Sequence, residues 1–343
     1  MKNPKIAIAI VPSEGHLVPG HPESPRRFSN FERLFEGPLG PRLTQIPTAE
    51  APLESVLRVH SQEHLSSIEE LCLAGGGFLD YGDTYTTPES YHSALNAAGS
   101  TLNLLDHLMS TDTRAAFALV RPPGHHATRN QAMGFCLLNN IAIATREAQA
   151  HNVKKVMIVD FDVHHGNGTQ AIFEQDPSVM YISTHQAGIY PGSGAWGDIG
   201  TGAGTGFTMN IPLPAFAGDD TFALILDELI QPIATRFKPE LVLVSAGYDA
   251  HWQDPLAGLA VTTKGYYDLA HRLQEIAKDA SNDKILFVLE GGYDPEALAL
   301  NIQATMCALA DIPAPDFQQP QKPFIEPDVK NLIKALRRIH GLD

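Results

Sequence analysis

Six short apolar runs recur along this 343-residue chain, at residues 6–11, 115–120, 156–159, 179–182, 241–244 and 285–289. They do not alternate with polar residues, and several are rich in Val and Ile. A strand with one wet face would alternate, so the runs predict strands covered on both faces, as in a parallel sheet held between helix layers. Helix-length stretches lie between them. Within 219–237, Phe222, Ile225, Leu226, Leu229, Ile230 and Ile233 follow the 3.6-residue period after an acidic pair, and Pro232 predicts a kink or an early stop. The expected class is therefore α/β.

The rest of the chain is consistent with one domain over 1–343. No internal repeat or low-complexity linker breaks it. The Gly-rich stretch 200–206 misses the G-x-G-x-x-G spacing and has no strand feeding into it, so it reads as a plain connection rather than a nucleotide loop. The Pro-rich segment 313–327 is expected to wrap the surface before a final helix of about a dozen residues. A net charge of −15 disfavours direct contact with nucleic acid phosphates. Cys72, Cys136 and Cys307 are too few and too scattered for a disulfide framework or a thiolate zinc site, which points to a reducing, cytoplasmic setting. Residues 6–11 are too short for a signal-peptide core or a membrane span.

Ligand sites in open parallel sheets form at the carboxyl ends of the strands, and here those ends are polar. RPPGHHA (121–127) follows the second run, DFDVHHGNGTQ (160–170) the third, SAGYDAH (245–251) the fifth and EGGYD (290–294) the last. Asp160, Asp162 and His164 alternate, and a strand's period of two places all three on one side, with Phe161 and Val163 on the other. A lone Asp-x-His reads equally well as an ordinary strand-end pair. Three such groups together call for a cation, because like charges crowded in one place are costly. Asp249, from another strand end, can join Asp162 and His164. Two carboxylates, one imidazole and an open position suit zinc with a water whose pKa falls to about 7.

His125 and His126 follow a Pro-Pro-Gly turn that can aim both rings into the same pocket. Adjacent histidines are usually surface residues, but their place at a strand end beside a metal candidate favours proton transfer. Tyr293, after two glycines, can donate to a developing oxyanion, against its plain reading as a turn tyrosine.

Taken in order, RPPGHHA, MGFCLLNN (133–140), DFDVHHGNGTQ, YPGSG (190–194), AGYDAH and EGGY resemble the histone-deacetylase superfamily over about residues 5–310. The resemblance implies an arginase/deacetylase-like three-layer fold with a central eight-stranded parallel sheet. It implies a zinc-dependent amidohydrolase with Asp162, His164 and Asp249 as ligands, His125 and His126 as the histidine pair, and Tyr293 as transition-state donor. Asp160 matches the carboxylate that orients the first histidine, with its backbone on a structural potassium ion. A narrow tunnel for an acyl-lysine-like chain is implied, with Phe135 and Tyr190 as walls, the Gly134 carbonyl receiving the substrate amide, and Leu256 at the rim. Asn167 stands where class I members carry an aspartate, as in class II and bacterial members. Tyr190 stands where phenylalanine is common.

The resemblance makes the partner an acylated lysine in a peptide or protein, or a small acylated amine such as an acetylpolyamine, and it allows a homo-oligomer. Against the polyamine specialists, Leu256 is neutral where one such group has a glutamate, and the 12–27 loop is short. An arginase-type binuclear manganese hydrolase shares the fold, but DFDVHH lacks the further aspartate that would bridge a second metal. A non-catalytic acyl-peptide-binding module would lack one of His126, Asp162, His164, Asp249 or Tyr293, and all five are present.

Overall fold

The expected strands form in a computed structural model, which describes residues 5–80, 82–281, 283–314 and 325–343. In chain order the described strands are β1 (Ile6–Val11), β2 (Leu43–Gln45), β3 (Gly77–Asp80), β4 (Thr84–Thr86) and β5 (Ala115–Val120). They continue with β6 (Val156–Asp160), β7 (Val179–Gln186), β8 (Thr208–Leu213), β9 (Leu241–Ala246) and β10 (Ile285–Leu289). Eight of them make one parallel sheet in the order β2-β1-β5-β10-β9-β6-β7-β8, while β3 and β4 pair as a separate antiparallel hairpin.

The unbroken apolar runs follow from two cores. Along β1 and β5, Ile6, Ile8, Phe117 and Leu119 face one core, and Ala7, Ala9, Ala116 and Ala118 face the other. Helices Thr263–Ala280 and Pro295–Leu309 cover the first face, and Ser90–Ser110 and Asn140–Ala150 cover the second. Burying a side chain the size of Leu or Phe contributes about 1.5–3 kcal/mol. A polar group facing either layer would instead lose its hydrogen bonds to water.

Two sheet strands lie outside the six runs. β2 has only three residues, and β8 carries Thr208, Asn210 and Pro212, a composition that an edge strand tolerates. The helix expected over 219–237 forms with a difference at its middle. It runs as Asp219–Ile225 and Gln231–Phe237 around a π-helical turn at Leu226–Ile230. Pro232 has no N–H, and in a regular helix its ring would press on the carbonyl of residue 228. That freed carbonyl of Glu228 instead accepts from Nη1 of Arg337 at 3.1 Å. Arg337 belongs to the last helix, Lys330–Ile339, which forms as expected. Of the Pro-rich segment 313–327, residues 315–324 lie outside the described residues. Among the described residues no helix is long and apolar enough to cross a membrane.

Candidate active site

Four adjacent central strands, β5, β10, β9 and β6, deliver the polar strand ends to one place. β6 stops at Asp160, earlier than the alternation of Asp160, Asp162 and His164 requires. This corrects the one-sided-strand expectation, and the cause is local hydrogen bonding. Asp160 Oδ1 accepts from the Asp162 N–H at 3.2 Å, Asp162 Oδ1 from the His164 N–H at 2.9 Å, and Asp249 Oδ1 from the Val163 N–H at 3.0 Å. Side-chain oxygens thus take the backbone donors that a strand ladder would use. The resulting turn still brings the three expected ligands together. Nδ1 of His164 is 3.2 Å from both Asp162 Oδ1 and Asp249 Oδ2, and one ligand atom from each residue lies within 4.8 Å of the others.

This cluster calls for positive charge. Burial disfavours a charged His164, yet hydrogen bonds and attraction from Asp162 and Asp249 raise its pKa to about 10. Burial and the neighbouring Asp162 push the Asp249 carboxyl up, as expected when two carboxylates share one site. There is no room for larger neighbours. A Cβ on Gly291 would lie 2.1 Å from Asp249 Oδ2, and one on Gly247 would lie 2.0 Å from Asp162 Oδ2.

The histidines differ in their partners. Nδ1 of His125 meets Asp160 Oδ2 at 3.1 Å, and Asp160 is held in turn by the Tyr181 hydroxyl at 3.0 Å. Burial opposes charge on His125, but Asp160, Asp162 and Glu290 outweigh it and lift its pKa to about 10. His126 is stacked at a tilt on His125, with centroids 4.0 Å apart, and its Nδ1 faces Asn167 Oδ1 at 2.8 Å. Burial, with His125 and His164 close by, holds His126 well below the usual imidazole range. The partners therefore favour charge on His125 and disfavour it on His126.

A cavity of about 200 Å³ opens above these groups, lined among others by His126, Phe135, Tyr190, Leu256 and Tyr293. Gly134 and Phe135 both have positive φ, 55° and 68°. A Cβ at Gly134 would lie 2.4 Å from the His126 ring. Phe135 carries a Cβ that disfavours positive φ, and its strained backbone is propped from the β3–β4 hairpin. Asp80 Oδ2 accepts from the Gly134 N–H at 3.1 Å, and Thr84 Oγ1 from the Phe135 N–H at 2.9 Å. Tyr190 (39% exposed) and Leu256 (40% exposed) reach solvent at the mouth.

Tyr293 is half-buried, and burial keeps its hydroxyl protonated by raising its pKa well above 10. The Arg27 guanidinium lies 5.0 Å from its ring centroid and donates to the carbonyls of Glu290 at 2.5 Å and Gly292 at 2.7 Å. Buried Glu23 in turn holds both Arg27 and Arg121.

Sequence reading missed several of these supports. Glu290 directly follows β10, at the strand end equivalent to the one that Asp160 closes in β6, and that parallel was visible. Its carboxylate receives the backbone N–H groups of Gly124 at 2.7 Å and His125 at 3.1 Å, and the Ser245 hydroxyl at 3.0 Å. Arg27 and Asp83, the latter at the cavity mouth, carried no local signal.

The histone deacetylase domain profile matches residues 21–309. This chain belongs to the histone deacetylase family. Histone deacetylase 14, chloroplastic, of Arabidopsis thaliana is 39% identical, covering 98% of this chain and 85% of that protein. A probable deacetylase of Archaeoglobus fulgidus is 36% identical over 94% of this chain and 93% of its own length. The histone deacetylase-like amidohydrolase of Pseudomonas aeruginosa is 38% identical over 80% and 73%. The crystal structure of the HDA15 HD domain superposes with a TM-score of 0.88 at 33% identity, covering 98% of this chain and 95% of that one. As a family member the chain is a hydrolase acting on amide bonds, with an arginase/deacetylase fold.

Proposed function

We propose that this histone deacetylase homologue is a zinc-dependent deacetylase that hydrolyses the amide of an acyl-lysine side chain. One observation carries the reading. Asp162 and His164 line the same cavity as His126 and Tyr293, and fully buried Asp249 joins the first two in one cluster of ligand atoms.

The residues fit a zinc ion. Two carboxylates and one imidazole are a zinc donor set that leaves a position open, and their buried charges need a cation. Asp162, His164 and Asp249 would hold it, and zinc there supplies Lewis acidity to the scissile carbonyl and to water. The resemblance adds potassium beside the Asp160 backbone.

The chain's own groups then divide the work. His126, neutral and with Nδ1 directed at Asn167, offers Nε2 to take a proton from the attacking water and return it to the departing amine. His125, held positive by Asp160, stabilises the negative charge that develops nearby. The Tyr293 hydroxyl donates to the oxyanion. Phe135 and Tyr190 flank the acyl-lysine stem and exclude water, the Gly134 carbonyl receives its amide N–H, and Leu256 meets the flanking residues.

A small acylated amine is the second reading, favoured by the exposed Asp83 carboxylate at the mouth, which would attract a further ammonium group. We place the enzyme in the cytoplasm, on the reducing setting that three buried free thiols suit. The test is kcat/KM over acetyl-lysine peptides, longer acyl-lysine peptides and acetylated polyamines. Highest efficiency on acetyl-lysine peptides is expected. A preference for acetylpolyamines would select the second reading, and no turnover of any amide would overturn both.

A further inference from the structure

Asp254 is a buried carboxylate that the mechanism above does not use. It sits in DPLAG, two residues before Leu256 at the cavity rim, with 7% of its surface exposed. Oδ2 accepts from the Tyr293 N–H at 2.7 Å, and Oδ1 accepts from the Leu256 N–H at 3.0 Å. One side chain thus joins the two segments that carry the oxyanion donor and the tunnel rim. Burial, with the nearby Asp249 charge, pushes its carboxyl up to about 7, against the two N–H groups and Arg27, which favour the ionised form. A further carboxylate near Asp249 is unfavourable on charge alone. Its geometry supplies the reason. Two backbone donors that arrive from different loops need two acceptor oxygens on one group, and among side chains of this length only a carboxylate has them.

We propose that Asp254 is a positioning residue for Tyr293, fixing the tyrosine backbone against the rim so that its hydroxyl faces the scissile carbonyl. The proposal rests on the catalytic reading of Tyr293. Other contacts on that residue leave this task open. Arg27 lies over the ring and binds the carbonyls of Glu290 and Gly292, and Phe135 meets the ring edge-on at 5.8 Å. Those contacts govern the ring face and the preceding carbonyls, whereas Asp254 holds the Tyr293 N–H itself. Asp254→Asn keeps the size but presents one acceptor and one NH₂ donor, so one of the two N–H groups then faces another donor.

The experiment is a double-mutant cycle on the zinc-loaded enzyme, with Asp254→Asn, Tyr293→Phe and the pair, following kcat and KM on an acetyl-lysine peptide. Asp254→Asn should lower kcat by about 10- to 100-fold with KM little changed, the penalty typical of a misplaced catalytic group. In the Tyr293→Phe background, the same change should cost no more than about twofold, the ordinary scatter of additivity. Equal losses in both backgrounds, or an unchanged kcat in Asp254→Asn alone, overturn the proposal. Zinc content and thermal unfolding are measured on each variant, and Asp254→Ser carries the cycle if the asparagine variant does not fold. If Tyr293→Phe by itself leaves kcat unchanged, the catalytic reading of Tyr293 fails. If Tyr293→Phe is impaired and the losses add, only the role of Asp254 fails.

Discussion

Replacing Asn167 by aspartate should move the acid limb of the pH–rate profile toward higher pH. His126 is the proposed proton acceptor, and its Nδ1 lies 2.8 Å from Asn167 Oδ1. A carboxylate there would put a negative charge about 4 Å from the centre of the imidazolium. At the effective dielectric that best describes protein sites, this attraction is about 4 kcal/mol, equivalent to about three pKa units. Desolvation of the new carboxylate and competition from the His125 charge reduce it, so a shift of about one to three units is expected. The sign follows from the mechanism. His126 must be neutral to accept a proton, so a higher pKa removes activity sooner as pH falls. The assay is kcat/KM against pH for wild type and Asn167→Asp, with zinc content verified. Because the two histidines are coupled, the limb reports a macroscopic constant. The direction of its movement still decides the matter. An acid limb that stays in place or moves to lower pH would refute the assignment of His126 as base.

Tyr293→Phe should reduce kcat by about 10²–10³, or about 2.7–4 kcal/mol, and leave KM nearly unchanged, since its hydroxyl donates chiefly to the transition state; steady-state kinetics checks this. Gly291→Ala places a Cβ 2.1 Å from Asp249 Oδ2. It should weaken metal affinity by about 10–100-fold, the range seen when the groups around a ligand are disturbed, read by competition with a chromophoric chelator. Burial would raise the Glu23 carboxyl, but Arg121, His16 and Arg27 hold it at about 2, below its ordinary 4.5. It therefore contributes stability on the order of 3 kcal/mol above pH 4.5, lost as pH falls through about 2. Glu23→Gln should flatten that decline in urea-unfolding free energy, and an unchanged slope would remove Glu23 as its source.

Much of this was legible because apolar runs buried on both faces announce a parallel sheet, and a parallel sheet says where to look for chemistry. The polar residues after β5, β6, β9 and β10 then followed, and Asp162, His164 and Asp249 converge although β6 ends too early for the strand argument that first grouped them. The edge strands β2 and β8 were invisible because an edge needs neither length nor an unbroken apolar run. The supports of the site were hidden for a different reason. Arg27 reaches Gly292 across 265 residues and Asp80 reaches Gly134 across 54, and such pairings depend on how the loops pack. The left-handed Phe135 had no sequence signal, since glycine or asparagine usually marks that conformation.

The central claim is that one cation held by Asp162, His164 and Asp249 enables the hydrolysis. The direct measurement starts from enzyme stripped by chelation, shown by elemental analysis to be metal-free, and titrates zinc while acetyl-lysine peptide hydrolysis is followed. Activity should be absent at the start, rise linearly and saturate near one equivalent of zinc, and Asp249→Asn should abolish that stoichiometric rise. Full turnover by the metal-free protein, or a zinc response untouched by Asp249→Asn, would contradict the account.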